Sequence, residues 1–365
     1  MPHSTLTRPL AHDPAGAPAG WQSALAAAVR DPAELCRLLE LPAGLAADAA
    51  EGVRGFPLLV PRPYLARIRH ADAADPLLGQ ILPTREEQAE HAGFVRDPLG
   101  EAAGHPGQHN YCPGLLQKYR RRALILASGA CGVHCRFCFR RHRNAAYPYP
   151  PHGNGGAFRE GGTEKAAGDR RSPEGMLAHI AADQSIEEVI LSGGDPLCLP
   201  DRSLAELAEQ LAAIPHLRRL RVHSRLPIVI PQRVTEALLA WLRGTRLAPW
   251  VVVHANHPAE IDDAVAAALG RLVDAGIPVL NQTVLLRGVN DRAEVLTALC
   301  RRLADLRVRP YYLHQLDRVA GAAHFEVPVA RGLELMDALR AELPGYALPR
   351  YVRDRPGTAG KEVLA

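Results

Sequence analysis

Ala123-Leu-Ile-Leu-Ala127-Ser-Gly-Ala-Cys131-Gly-Val-His-Cys135-Arg-Phe-Cys138 joins an apolar run of strand length to a loop that holds three cysteines within eight residues. A short continuous apolar run between breakers reads as a strand buried on both faces. Three thiolates on one loop make a metal site. The CxxxCxxC spacing, with Phe137 just before the last cysteine, suits a four-iron cluster and leaves one iron without a protein ligand, open to chemistry. Zinc is the alternative, with His134 or His142 as a fourth ligand. Disulfides fit poorly, because seven cysteines is an odd number and no secretory leader is evident; Cys36, Cys112, Cys198 and Cys300 stand alone and read as small buried hydrophobes.

The same texture continues downstream. Apolar runs at 188–191, 219–222, 250–254, 277–284 and 308–314 alternate with helical patterns, such as the stripes Leu204, Leu207, Ala208, Leu211 and Val234, Leu238, Leu239, Leu242. Six strands alternating with helices predict parallel strands with right-handed crossovers, in a partial barrel or an open sheet. In such α/β folds functional residues gather at the C-terminal strand ends. The cysteine loop, Ser192-Gly-Gly-Asp195-Pro196, His223-Ser-Arg225, His254-Ala-Asn256-His257, Gln282 and Asp317 all fall there, so one shared rim is expected.

Upstream, residues 1–20 are rich in Pro, Ala and Gly and read as frayed. Asp31-Pro32 then supplies an N-cap and a first-turn proline to a helix with Leu35, Leu38 and Leu39 on one face, and short helices broken by prolines follow. Residues 144–173 are rich in Gly, Pro and charge, lack periodicity, and read as a flexible loop. The 365 residues carry a net charge of +4, which neither demands nor excludes an acidic partner. The apolar runs are too short to span a bilayer, so no membrane association is expected and the location is read as cytoplasmic.

Six segments then carry a resemblance: DPLL at 75–78, CGVHCRFCFRRH at 131–142, LSGGDPL at 191–197, HSRLPIVIPQR at 223–233, NQTVLLRGVND at 281–291 and PYYLHQLDRVAGAAHF at 310–325. In order and spacing they resemble the radical S-adenosylmethionine (SAM) lysine 2,3-aminomutases, from about Asp31 to the C-terminus. The nearest likeness is to the bacterial branch that makes (R)-β-lysine for modifying elongation factor P. The resemblance implies an α/β fold, a partial (β/α)6 radical SAM barrel over 111–330. A helical region over 21–110 would precede it, and a short segment over 331–365 carrying a pyridoxal phosphate (PLP) lysine would follow.

By that resemblance Cys131, Cys135 and Cys138 hold a 4Fe-4S cluster whose open iron binds the amino and carboxylate groups of SAM. Gly193, Gly194 and Asp195 would sit at the methionine moiety, where glycines put no side chain in the way. His254 and Gln282 would position the nucleoside. In Asp354-Arg-Pro-Gly-Thr-Ala-Gly-Lys361, Lys361 matches the lysine that binds PLP covalently, and Arg122 matches an arginine near its phosphate. Arg140 matches the residue that takes the substrate carboxylate, and Asp317 and Asp354 match two acids that receive the ε-ammonium of L-lysine. Two carboxylates there favour lysine over glutamate. The implied reaction moves the amino group from C2 to C3 of lysine after a 5′-deoxyadenosyl radical removes hydrogen from C3. A reducing donor such as flavodoxin or ferredoxin would supply the electron, and a lysyl ligase and elongation factor P would use the product.

Two departures stand out. Catabolic members carry a longer, cysteine-bearing tail, whereas this chain stops four residues beyond Lys361 and has Arg292 where they have a cysteine, so no zinc and a different or weaker oligomer are expected. The loop at 144–173 is longer than usual for the branch. Rival readings are an aminomutase making β-lysine for another pathway, a methyltransferase acting on RNA through the basic runs 118–122 and 140–143, and an iron-sulfur electron carrier. The RNA reading leaves Lys361, Asp317 and Asp354 without roles, and nucleic acid is not an expected partner.

Overall fold

A computed structural model describes residues 20–101, 114–142 and 173–365. The expected frayed N-terminus, nearly all of the loop at 144–173, Cys112, Arg143 and the boundary near residue 110 lie outside the described residues.

The described strands form one sheet in chain order. β1 (Leu115–Tyr119) turns back antiparallel onto β2 (Arg122–Ser128). Then β3 (Glu188–Gly193), β4 (Arg219–His223), β5 (Ala248–His254), β6 (Val279–Val284) and β7 (Arg309–His314) add in parallel. These are the six strands expected from the apolar runs, and they make an unclosed α/β barrel. Three strands were not read from sequence. Besides β1, they are β8 (Arg350–Arg353), parallel to β7, and β9 (Glu362–Val363), antiparallel to β8. The C-terminal segment therefore extends the barrel sheet and brings Lys361 to its last edge.

Each strand divides its residues between two faces with period two. Val189 and Leu191, Leu220 and Val222, and Val251 and Val253 turn outward into a hydrophobic core shared with the helices. Ile190 and Ser192, Arg221 and His223, and His254 line a cavity inside the sheet. The helix Asp201–Ala212 buries Leu204, Leu207, Ala208 and Leu211, the stripe read from the sequence. The helix Glu236–Arg243 begins later than its apolar stripe: Thr235 caps it by accepting from Leu238 N at 3.0 Å, and Val234 is buried just before it. Further helices, Asp263–Asp274, Ala293–Asp305 and Val329–Glu342, follow β5, β6 and β7.

The N-terminal helices Trp21–Ala26, Pro32–Leu38, Ala43–Gly52, Arg62–Leu65 and Pro76–Gly79 join the same core through Trp21, Leu35, Ala49, Tyr64 and Leu77. Asp31 caps its helix by accepting from Ala33 N at 3.0 Å. The DPLL motif has a similar local cause: Asp75 is an N-cap accepting from Leu77 N at 2.8 Å and Leu78 N at 3.2 Å, with Pro76 in the first turn.

Candidate active site

The cysteine loop leaves the C-terminal end of β2 and is pinned by backbone bonds to its surroundings. His134 N donates to Leu59 O at 3.0 Å, Arg136 N to Gln80 O at 2.9 Å, and Cys138 N to Cys135 O at 3.0 Å. Arg136 and Arg141, on either side of Cys138, turn inward onto Glu87, and all three side chains are buried. Both histidines considered as zinc ligands face backbone carbonyls: His134 Nδ1 lies 2.9 Å from Pro57 O and His142 Nε2 2.9 Å from Ala320 O.

Cys131, Cys135 and Cys138 line a cavity of about 320 Å³ on the rim of the sheet. The other residues given site roles by the resemblance line it too: Gly193, Gly194, Asp195, His254, Gln282, Arg122, Arg140, Asp317, Asp354 and Lys361, whereas Pro196, Asn256 and His257, expected on the same rim, do not. Among the described residues no three His, Cys, Asp or Glu side chains converge closely enough to hold a single metal ion.

Gly193 has a φ of 124°, which side chains rarely adopt. Gly194 serves close packing, since a Cβ there would collide with Ala130 O and lie 3.0 Å from Cys131 Sγ. The glycine pair therefore seats the protein's own cysteine loop. Asp195 braces two loops: Oδ1 accepts from Leu197 N at 3.0 Å and Ser224 Oγ at 2.7 Å, and Oδ2 accepts from Arg225 N at 2.8 Å and Leu226 N at 3.1 Å. His254 lies edge-on to Phe137, with Nε2 3.1 Å from Asn256 Oδ1, and burial pushes its pKa down to about 3, so it is neutral. The β5–β6 register sets Gln282 beside it.

At the other end of the cavity charges are interleaved. Arg140 donates through Nε to Glu101 Oε2 at 2.8 Å and through Nη2 to Glu101 Oε1 at 3.1 Å, while Nη1 reaches Gly193 O at 3.2 Å. Glu101 also pairs with Lys118; burial alone would raise its carboxyl, but the Arg140 and Lys118 cations outweigh it and hold the group ionised. Lys361 Nζ pairs with Asp354, which also accepts from Tyr119 Oη at 2.6 Å. Burial works to raise Asp354, yet Lys361 and Tyr119 keep it below the usual range. Asp317 goes the other way, pushed up to about 7 by burial and then by the Asp354 charge. The Arg122 guanidinium stacks 5.2 Å from the Tyr119 ring centroid.

Sequence reasoning missed Glu101, Lys118, Tyr119, Arg221 and Tyr312, all of which line the cavity. Lys118 and Tyr119 lie on the unread strand β1, and Arg221 is every second residue on β4 from His223, so the period-two pattern was the signal that could have found it. Of the basic runs, Arg120 and Arg121 are exposed, Arg121 pairing with Glu187 at 2.8 Å, while Lys118 and Arg140 turn onto the buried Glu101 and Arg141 onto the buried Glu87. Buried side-chain nitrogens without a hydrogen-bond partner among the described residues include Arg221 Nε, His223 Nε2 and Arg225 Nε, which line the cavity at the end of β4, besides Arg141 Nε and His324 Nδ1 outside it. Buried polar atoms are rarely left unpaired in native proteins, so the first three fit a cavity that takes polar groups.

The sequence model of the radical SAM superfamily matches residues 125–299. The L-lysine 2,3-aminomutase of Escherichia coli is 42% identical over 347 residues, covering 94% of this chain and 94% of that one. The chain belongs to the radical SAM lysine 2,3-aminomutases. The L-lysine 2,3-aminomutase of Haemophilus influenzae is 39% identical over 345 residues, 94% of this chain and 95% of that one. A solved structure, Streptococcus suis SuiB bound to S-adenosylmethionine, is similar with a TM-score of 0.44 at 13% identity, covering 65% of this chain and 51% of that one. Radical SAM lysine 2,3-aminomutases are isomerases that work with a 4Fe-4S cluster, SAM and PLP. Three cysteines on one loop and a lysine on the facing edge of the same cavity suit that set. Among the described residues no helix is long and apolar enough to cross a membrane.

Proposed function

We propose that this lysine 2,3-aminomutase converts L-α-lysine to (R)-β-lysine with PLP held covalently by Lys361, in the cytoplasm, and that the product modifies elongation factor P through a lysyl ligase. The observation that carries the first part is the meeting of Cys131, Cys135, Cys138, Arg140, Asp317, Asp354 and Lys361 in one cavity, although they are drawn from opposite ends of the sheet. The link to elongation factor P rests on the likeness of the six sequence motifs to that branch.

In this reading Cys131, Cys135 and Cys138 hold the cluster, the Gly193-Gly194 backbone, His254 and Gln282 hold SAM, and Arg122 faces the PLP phosphate. When bound, the reduced cluster and SAM supply the hydrogen-abstracting radical, and PLP carries the migrating nitrogen. Glu101 orients Arg140, which takes the lysine carboxylate. Asp317 and Asp354 take the ε-ammonium, compensating its lost hydration. Lys361 must give up the Nζ proton it shares with Asp354 before it can act as an amine nucleophile, and Asp317, with its raised pKa, can hold a proton near neutral pH. The surrounding walls exclude water and keep the reacting groups in place.

Anaerobically reconstituted protein should convert labelled L-lysine to (R)-β-lysine with dithionite and SAM, read by chiral analysis, and borohydride should trap PLP on Lys361. PLP trapped elsewhere, or no isomer from a fully loaded cluster, would defeat this reading. Adding a lysyl ligase and elongation factor P separates the two fates of the product. A mass increase on the factor supports the proposal, and none places the β-lysine in another pathway.

A further inference from the structure

Arg225 follows β4 and reaches the cysteine loop from the far side of the cavity. Its Nη1 donates to Cys135 Sγ at 2.7 Å, and its Nη2 donates to Gln80 Oε1 at 2.7 Å and Glu260 Oε2 at 2.8 Å. The guanidinium lies between the rings of Phe137 and Tyr64, at 5.6 and 5.7 Å from their centroids. Behind it Glu260 is fully buried, with Oε1 accepting from Asn256 N at 2.7 Å, His257 N at 3.1 Å and Gln80 Nε2 at 3.1 Å. Gln80 Oε1 accepts as well from Asn256 Nδ2 at 2.9 Å, and Asn256 Oδ1 meets the His254 ring. Gln80, Arg225, Asn256 and Glu260 come from three separate segments and are all buried. A buried ion pair is costly to assemble and weak evidence for stability, so its placement against one cysteine sulfur asks for another reason.

We infer that Arg225 is a positioning residue that sets the reduction potential of the cluster, by donating a charge-assisted hydrogen bond to the Cys135 thiolate under the restraint of Glu260. This rests on the proposed assignment of Cys135 as a cluster ligand. Reduction brings one electron from an external reductant, dithionite in the test, onto the cluster with no proton. The added negative charge spreads over the ligating sulfurs. A cation hydrogen-bonded to one of them stabilises the reduced state more than the oxidised one, and hydrogen bonds to cluster sulfurs are a recognised control on potential. Glu260 points the fork at the sulfur and offsets part of its charge. The two residues therefore act on the potential with opposite signs.

The test is a redox titration of reconstituted protein followed by the electron paramagnetic resonance of the reduced cluster. Arg225→Gln should lower the ratio of reduced to oxidised cluster at a fixed potential about tenfold, roughly 59 mV for one electron, and Glu260→Gln should raise it. Unchanged potentials, or shifts of the same sign, overturn the inference. Where Arg225→Gln takes up no iron, wild-type protein reconstituted in D2O decides: a shift of the iron–cysteinyl sulfur stretches in resonance Raman supports the bond, and unshifted bands overturn it. Wild-type protein that assembles no four-iron cluster would defeat the assignment of the cysteines instead, which iron and sulfide analysis shows separately.

Discussion

Asp317 and Asp354 share one rim yet differ in charge because of what stands beside each. Asp354 has Lys361 and Tyr119; Asp317 has burial and the Asp354 charge, and is pushed up to about 7. The folded pKa of Asp317 lies above its unfolded value, so its contribution to stability is fully present below about 4 and is lost as pH rises towards 7. Binding the ε-ammonium requires the ionised form. The lysine concentration for half-saturation should therefore rise by up to about tenfold per unit as pH falls below about 7. Asp317→Asn should bind lysine more weakly and lose that dependence. A pH profile of KM for lysine checks it, and a variant that keeps the wild-type slope contradicts it.

At the scale of elements, the cysteine loop is held by partners from outside its own segment. Glu87, in the short 3-10 turn Arg85–Gln88, takes both Arg136 and Arg141, and the Arg136 Nε bond to Glu87 Oε1 measures 2.8 Å. Glu87→Ala would leave two buried guanidinium groups without their carboxylate and should cost about 3–5 kcal/mol of stability, read as a shift of the urea midpoint. A midpoint equal to wild type would mean the triad adds nothing. On the other flank, Gly194→Ala forces the Ala130 carbonyl away from Asp195 N, which it accepts from at 2.7 Å. Its expected outcome is iron content several-fold below wild type in a protein with an unchanged far-ultraviolet circular dichroism spectrum. Full iron loading would show that the loop tolerates the displacement.

Across the whole molecule, the sheet is open but its two ends meet through side chains. Tyr119 on β1 donates to Asp354, which follows β8, across 235 positions of sequence, and Lys361 ahead of β9 completes the contact. Tyr119→Phe removes a hydrogen bond to a charged group, worth about 1.5–3 kcal/mol when buried and about 1 kcal/mol at this half-buried mouth. It should lower the thermal midpoint and raise KM for lysine, because Asp354 loses a donor that favours its ionised form. Calorimetry and kinetics on that variant give the answer, and no change in either would leave the sheet edges uncoupled.

The six parallel strands were legible in the chain because each is an apolar run bounded by breakers, and the rim residues follow from where those runs end. Gly194 was legible as a glycine needed for close approach, but the partner it approaches, Ala130 O, was not. Strands β1, β8 and β9 escaped notice because LLQKY, RYVR and EV are short and half polar, and their pairing comes from neighbours already in place. Glu101 is a single charge with no local pattern; Arg221 and Arg225 could be placed on the rim from the strand, but the partners they meet could not. Local sequence by itself determined the strand–helix alternation, the cysteine spacing and the caps, since those depend on neighbours a few residues away. Only the tertiary structure decided which charges meet, because ion pairs such as Arg225–Glu260 and Arg140–Glu101 join segments 35 and 39 residues apart and gain their strength from a burial that exists only after the sheet has formed.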